Sequence, residues 1–400
     1  MKKIAKLSLV AAVAVLGFTS ANAQSLEEAI KNVETSGSVV YRYNDYNNDI
    51  VGGQSSQTNN YKVGVNLSSK VNEDVKFNSR LLVGKDSNAG FEQLGNATGD
   101  TADLDTNASV SLSHANFAYT GIKNTTVTAG KQGLATPWTV ALDSDGNEQT
   151  GTGILAMTTV GPVTFAGAYF NQTNLNASTD AKINDTAITG VVAGDRDIAT
   201  VGAIATLGPV TGDAWYLDTQ DLFDSYTIGA KTTMDVSGIK LGADARFASL
   251  TFDGPNEDDN TIAKIVLTAD AGLVDGKLAY AKTGKDGGLT ALDNDATTTL
   301  LGWNLTANGK ADADYIQAVL GFDILSNLNL SANYGNVEWS EDDNITREQE
   351  EVYAQLLYKM SKNLTTYVRY GTYTDERTTV ATTTDKNDDV RGRLQVEYTF

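Results

Sequence analysis

Tight turn signals recur along this chain at close intervals, and each one separates two segments in which apolar and polar residues alternate. They are Asn72-Glu73-Asp74, Gly121 to Asn124, Gly161-Pro162, Gly208-Pro209, Ser237-Gly238, Asp275-Gly276, Ser326-Asn327 and Ser361 to Asn363. Longer stretches rich in Asn, Asp, Gly and Thr join the hairpins, centred near residues 53, 97, 143, 184, 221, 256, 297, 344 and 382. Period-2 alternation bounded by turn residues reads as strand. Short turns alternating with long loops is the arrangement of an outer-membrane barrel, with tight periplasmic turns and extended extracellular loops. One strand before the first turn (Ser38 to Tyr46) and one after the last loop (Val390 to Phe400) complete the set. The prediction is an all-β fold, a transmembrane antiparallel β-barrel of about 18 strands with both termini periplasmic. The strand after Asp213 and the pieces from Thr299 to Thr306 carry the weakest signals, and without them the count falls to 16.

Charge placement assigns the strand faces. From Ile239 to Phe247 one face reads Ile239, Leu241, Ala243, Ala245, Phe247, and the other Lys240, Gly242, Asp244, Arg246. The last strand sets Val390, Gly392, Leu394, Val396, Tyr398 and Phe400 against Arg391, Arg393, Gln395, Glu397 and Thr399. A midplane Arg or Lys facing lipid costs ~2–4 kcal/mol, so the uncharged face points outward. A β-sandwich with one wet face shows the same alternation, but it has no reason to alternate short and long connections along the whole chain.

The N-terminus bears on the compartment. Lys2, Lys3 and Lys6 precede and enter an apolar stretch from Ile4 to Phe18, and Ala21-Asn22-Ala23 has the A-x-A form of a cleavage site. A cleaved signal peptide over residues 1–23 is predicted, followed by a lead-in over 24–36 and the barrel over 37–400. No later stretch reaches the ~18 consecutive apolar residues of a membrane helix. The chain has no cysteine, so no disulfide supports it, and its net charge of −20 disfavours nucleic acid and is compatible with cation attraction. The single histidine, His114, has no acid placed by sequence to orient it, so neither a nucleophilic hydrolase nor a zinc enzyme is expected. The remaining rival to a channel is an outer-membrane adhesin or structural barrel whose acid-rich loops, Asp253 to Asn260, Glu338 to Glu351 and Asp375 to Asp389, bind a partner.

Two segments resemble the major outer-membrane porins of Campylobacter and its epsilonproteobacterial relatives. They are LEEAIKNVETSGSVVYRYND (Leu26 to Asp45), and ANFAYTGIKNTTVTAGKQ with the following loop that contains PWT and closes in GTG (Ala115 to Gly153). The tail Leu394, Val396, Tyr398, Phe400 is similar to the C-terminal signal read by outer-membrane assembly machinery. The resemblance implies an eighteen-stranded barrel set in outer-membrane lipid and lipopolysaccharide, a homotrimer, and passage of ions and small hydrophilic solutes with a cation preference.

A barrel of that width needs narrowing, and the third loop, residues 133–152, is the candidate. It opens apolar (Leu134, Pro137, Trp138, Val140, Leu142) and then turns acidic at Asp143, Asp145 and Glu148. An apolar stem on the inner wall presenting those carboxylates to the channel would explain the order; the alternative is an ordinary exposed loop with Trp138 at the membrane rim. Parity places Arg42, Lys76, Arg80, Arg369, Arg391 and Arg393 in the lumen, on a sector that joins across the closure of first and last strands. An acidic loop facing this basic wall would set a transverse field and an ion preference; equally, the inward arginines would simply pair with inward acids such as Glu397 or Asp244. Asp143 and Asp145 are in addition candidate Ca²⁺ ligands, which further oxygen donors would have to complete.

Overall fold

The computed structural model describes residues 32–48, 55–85, 90–96, 109–175, 194, 196–254, 259–342, 344–379 and 384–400. The segment read as a signal peptide and residues 24–31 of the lead-in lie outside the described residues, as do most of the connections near 53, 97, 184, 256 and 382. The first strands are β1 (Glu34–Asn48), β2 (Ser56–Lys70), β3 (Val75–Gly84), β4 (Glu92–Asn96), β5 (Ser109–Tyr119) and β6 (Thr125–Gly133). Then come β7 (Thr150–Val160), β8 (Val163–Thr173), β9 (Ile198–Leu207), β10 (Val210–Thr219), β11 (Phe223–Val236) and β12 (Ile239–Phe252). The last are β13 (Asp259–Asp270), β14 (Val274–Thr283), β15 (Ala311–Leu325), β16 (Leu328–Asp342), β17 (Ile345–Lys359), β18 (Leu364–Thr379) and β19 (Thr384–Thr399).

β4 is a short ribbon of the second loop lying against β2, and β3 pairs directly with β5. Every other strand pairs antiparallel with its sequence neighbours, and β1 pairs with β19 from Ser38↔Thr399 to Asn48↔Asp389. The wall is therefore a closed barrel of 18 strands, with no α-helix among the described residues. Closure leaves no edge strand in a medium that cannot hydrogen-bond one.

The tight turns form where the local chemistry asks for them. Gly161 and Gly208 take φ of 58° and 60° ahead of a proline, as the first central position of a two-residue hairpin requires. One turn differs from the sequence reading. Asp275 and Gly276 lie inside β14, and the chain reverses instead at 271–273, where Gly272 has φ 89° and donates its N–H to Asp270 Oδ1 at 2.8 Å. The weakly signalled strand after Asp213 exists as β10, and its connection to β11 is only residues 220–222. Thr299 to Thr306 are not wall strand. They belong to the long connection 284–310.

Two of the acid-rich loops are also corrected. Glu338 to Glu351 is mostly strand, with β16 running to Asp342 and β17 starting at Ile345, and β18 and β19 take up most of Asp375 to Asp389. These strands, of 15 or 16 residues, exceed the ~9–11 needed to span and carry their acids above the apolar band.

The apolar band is on the outside. Val201, Ile228, Leu241, Leu267, Leu278, Ile316, Leu320, Leu356 and Val368 are exposed, at alternate positions on successive strands. So large an exposed apolar surface on a folded chain marks a membrane contact. Leu278 lies mid-strand and is 61% exposed. Leu278→Arg is expected to cost ~2–4 kcal/mol and to lower the folded fraction. Heat-modifiable gel mobility after refolding into vesicles measures this, and Leu278→Phe should fold like the native chain.

Candidate functional site

Two connections fold into the barrel. Loop 3 (residues 134–149) leaves β6, and its Trp138 is fully buried, with Nε1 donating to Ser225 Oγ of β11 at 2.7 Å. Its other end reaches β1, β2, β3, β5 and β19. Ser225, Arg42, Lys62, Arg80 and Arg393 all stand on the face opposite the apolar band, and β11 lies almost half the circumference from β19. Contacts with both sectors require loop 3 to cross the lumen.

Loop 7 (residues 284–310) joins it. Leu292 N donates to Trp138 O at 2.8 Å, Thr298 N to Pro137 O at 3.1 Å, and Gln149 Nε2 to Leu292 O at 2.9 Å. Leu134, Trp138, Leu289 and Leu292 pack with Phe170, Leu217, Phe223 and Leu250 of the wall. A second apolar cluster sets Leu300, Leu305 and Ala307 against Ala281, Tyr315 and Val337. On the far side, Glu351 of β17 accepts Trp303 N at 2.9 Å and Asn304 N at 2.8 Å. Gly302 makes that approach possible, since a Cβ there would stand 2.2 Å from Glu351 Oε1.

The loop 3 carboxylates do not face the basic wall across a gap; two of them are seated on it. Glu148 is almost completely buried, with Lys62 Nζ at 2.8 Å, Arg80 Nη2 at 2.7 Å and Ser113 Oγ at 2.6 Å. A β-bulge in β5 opposite Arg80 and Leu81 breaks the alternation at Ser113, and bulges commonly re-aim a side chain in this way. Asp145 takes Arg42 Nη1 at 3.1 Å and Arg393 Nη1 at 3.3 Å and stays half exposed. Asp143 accepts Asn147 N at 2.7 Å and Asn147 Nδ2 at 2.8 Å, within the loop itself. The predicted transverse field is thus replaced by direct ion pairs. Asp143 and Asp145 are separately engaged, and no group of three or more acidic or histidine side chains among the described residues is placed to hold a metal ion.

The basic ladder divides. Arg42, Arg80 and Arg393 meet loop 3. Arg391 holds loop 7 through Asn304 Oδ1 at 2.8 Å and lies over the Tyr373 ring at 3.9 Å. Arg369 sits over Tyr367 at 4.8 Å, apart from loop 3. Lys76 is not part of the set. It stands beside the periplasmic turn before β3 and pairs with Glu34 at 3.7 Å. His114 lies on β5 opposite Arg80. In the C-terminal tail, Tyr398 and Phe400 stack at 6.0 Å on the outer face, and Phe400 N donates to Gly37 O at 3.0 Å.

Residues 1–400, the whole chain, match the family described as the Campylobacter major outer membrane protein. This chain belongs to that family. No curated protein matches it. Among solved structures it is similar to Pseudomonas aeruginosa OccK2 (OpdF) in complex with glucuronate, with TM-score 0.70 and 15% identity over 92% of this chain and 99% of that one. Acinetobacter baumannii OccAB3 gives TM-score 0.71 and 14% identity, covering 92% and 99%. Pseudomonas aeruginosa OccK3 (OpdO) gives 0.69 and 18%, covering 94% and 98%. Identities this low carry the fold alone. As a family member with an 18-stranded barrel, the chain is a multi-pass protein of the Gram-negative outer membrane, of the porin kind.

Three parts of the site escaped sequence reading. Lys62 carries the same parity signal as Arg80, between outward Tyr61 and Val63 on β2. Glu351 ends an acid-rich stretch that reads as an outer loop, yet stands within β17. Loop 7 carries the apolar signal that singled out loop 3, in Leu289, Leu292, Leu300 and Leu305.

Loop 7 also holds Asp293, fully buried, with only its Oδ1 bonded, to Asp295 N at 2.8 Å. Burial pushes its carboxyl up to about 7, aided by Asp143, Asp295 and Asp145 and opposed by the Asp295 N–H. The docked loop therefore keeps a proton that the released loop gives up near the ordinary 3.8. Docking weakens as pH rises from there to about 7, and changes little above it. Hydrogen-exchange protection of residues 284–310 should be higher at about pH 5 than at about pH 8, and Asp293→Asn should remove the difference.

Proposed function

We propose that this barrel is a diffusion porin for ions and small hydrophilic solutes, with loops 3 and 7 forming its constriction. One observation carries the reading: the loops cross the lumen without filling it. A cavity of about 380 Å³ remains between loop 7 and the wall, lined by charged and amide side chains, and Asp145 next to it stays half exposed. A barrel built only as a scaffold gains nothing from polar space beside its inner wall.

The reading includes a cation preference set at the mouth. β16, β17 and β18 carry their acids above the apolar band, in a chain of net charge −20. Such a rim concentrates cations before they enter. Loop 3 contributes less, because Glu148 is neutralised by its partners. Homotrimer assembly rests on the family, and lipopolysaccharide contact on the outward apolar band. A Ca²⁺ ion between Asp143 and Asp145 is left out of the reading, because both carboxylates already have other partners.

Recording purified protein in a planar bilayer under a KCl gradient tests this. Stable openings with a cation-selective reversal potential are expected. An inserted, heat-modifiable but silent barrel would hand the function to the adhesin or structural reading.

A further inference from the structure

The lumen holds a second group of cations that the loop 3 anchor does not use. Lys264 of β13, Lys277 of β14 and Arg369 of β18 line the same cavity between loop 7 and the wall. Their bonds go to neutral acceptors. Lys264 Nζ donates to Thr299 O at 2.6 Å, Lys277 Nζ to Gln317 Oε1 at 2.9 Å, and Arg369 Nε to Gln355 Oε1. Among the described residues none of the three has a carboxylate at ion-pair distance. Lumenal Arg42, Lys62, Arg80, Arg246, Arg391 and Arg393 each have one.

Two carboxylates share the cavity, and both are committed elsewhere. Glu351 accepts from Trp303 N, Asn304 N and Asn304 Nδ2, and Asp295 Oδ2 accepts from Ser144 N and Ser144 Oγ, both at 3.0 Å. The cavity thus presents three cationic heads to two acids that already serve as loop latches. Positive charge left uncompensated in confined space attracts an anion, and low-dielectric walls focus that attraction. The Arg369 guanidinium, bonded only through Nε, keeps its Nη groups for a carboxylate, the geometry that favours paired hydrogen bonds. Asn333 and Thr297 offer partners for hydroxyls, and Trp303 meets Tyr353 edge-on at 5.1 Å to form an aromatic side. A volume of about 380 Å³ lies within the usual range for small-molecule sites.

We infer that this cavity is a transit subsite for small organic anions bearing one carboxylate and several hydroxyls, sugar acids as a class, whose carboxylate is held by Lys264, Lys277 and Arg369. The inference deepens the channel reading and rests on it. A pore with a cation-attracting mouth and an anion subsite inside passes inorganic cations freely and retards chosen anions.

The test is single-channel recording in KCl with sodium gluconate added on one side, and glucose as the neutral control. Gluconate should interrupt the current in a saturable way and glucose should not. Lys277→Gln combined with Arg369→Gln should raise the half-blocking concentration about tenfold, equivalent to ~1.4 kcal/mol. Arg369→Lys, which keeps the charge and loses the fork, should raise it less. Lys240→Gln on β12, outside the cavity, should leave it where it was. Heat-modifiable mobility checks that each variant is folded, and Lys277→Gln alone serves if the double variant is not. A conducting pore in which gluconate interrupts no more than glucose overturns the inference and leaves the channel reading standing. So does a folded variant with an unchanged half-blocking concentration. A barrel with no openings before any solute is added overturns both.

Discussion

Glu148→Ala is expected to release the inner end of loop 3 from the wall and raise single-channel conductance. Glu148 is 1% exposed and serves Lys62, Arg80 and Ser113 at once. Its removal leaves two buried cations without a counter-charge, and breaking a buried pair from one side costs ~3–5 kcal/mol. A barrel wall held by hydrogen bonds around its whole circumference absorbs that loss; a loop held by a few contacts does not. Loop 3 should therefore swing away while the barrel stays folded. Glu148→Gln, which keeps acceptor and shape but loses the charge, should fall between. The native anchor withstands acid as well. Burial opposes ionisation of Glu148, but the Arg80 bonds and the Lys62 charge outweigh it and hold the carboxyl below its ordinary 4.5. A depressed carboxylate lends stability that is present above 4.5 and is lost as pH falls through the lower, folded value. Native conductance should hold steady from neutrality down to that region and rise only below it. A Glu148→Ala channel with native conductance would place the narrowing elsewhere.

Trp138→Ala should undo the other end. The indole is fully buried, bonds Ser225 on the far wall, and packs with Leu134, Phe170, Phe223 and Leu292. Truncating a buried aromatic of this size costs ~3–5 kcal/mol. Because Leu292 N donates to the carbonyl of the same residue, loop 7 should loosen together with loop 3. Limited proteolysis of the folded barrel reads this out. Native protein should resist within 134–149 and 284–310, and the variant should be cut in one or both while its heat-modifiable mobility is kept. Equal resistance would show that Trp138 fills space without holding the loops.

The fold was legible because a membrane barrel writes itself in parity and spacing. A charge on the lipid face is costly, so Ile239 to Phe247 and Val390 to Phe400 declare which side is which. Turn residues mark the tight reversals, and the exception is instructive. Asp275-Gly276 has turn chemistry, but Asp270 caps Gly272 first and the pair is left inside a strand. The site was half legible. Parity gives the face of a side chain but not its height along the barrel, so Lys76 was grouped with Arg80 although it sits at the periplasmic end. Composition marked Asp143, Asp145 and Glu148 as lumenal acids but could not tell a charge presented to the channel from one paired with the wall. That depends on Lys62, Arg42 and Arg393 arriving from strands far apart in sequence. The acids of Glu338 to Glu351 suggested a loop, although Glu351 stands within β17 and latches loop 7.

The central claim is that loop 3 lies inside the barrel against the basic wall, and one cross-link tests it. The native chain has no cysteine, so Asp145→Cys with Arg393→Cys gives a single reactive pair. A short bis-maleimide should bridge them within one folded molecule, since the native side chains meet at 3.3 Å. The bridge would show as a shifted band on a denaturing gel. No shift, with the cysteine at 145 open to a bulky maleimide from outside the cell, would contradict the account by placing loop 3 above the barrel.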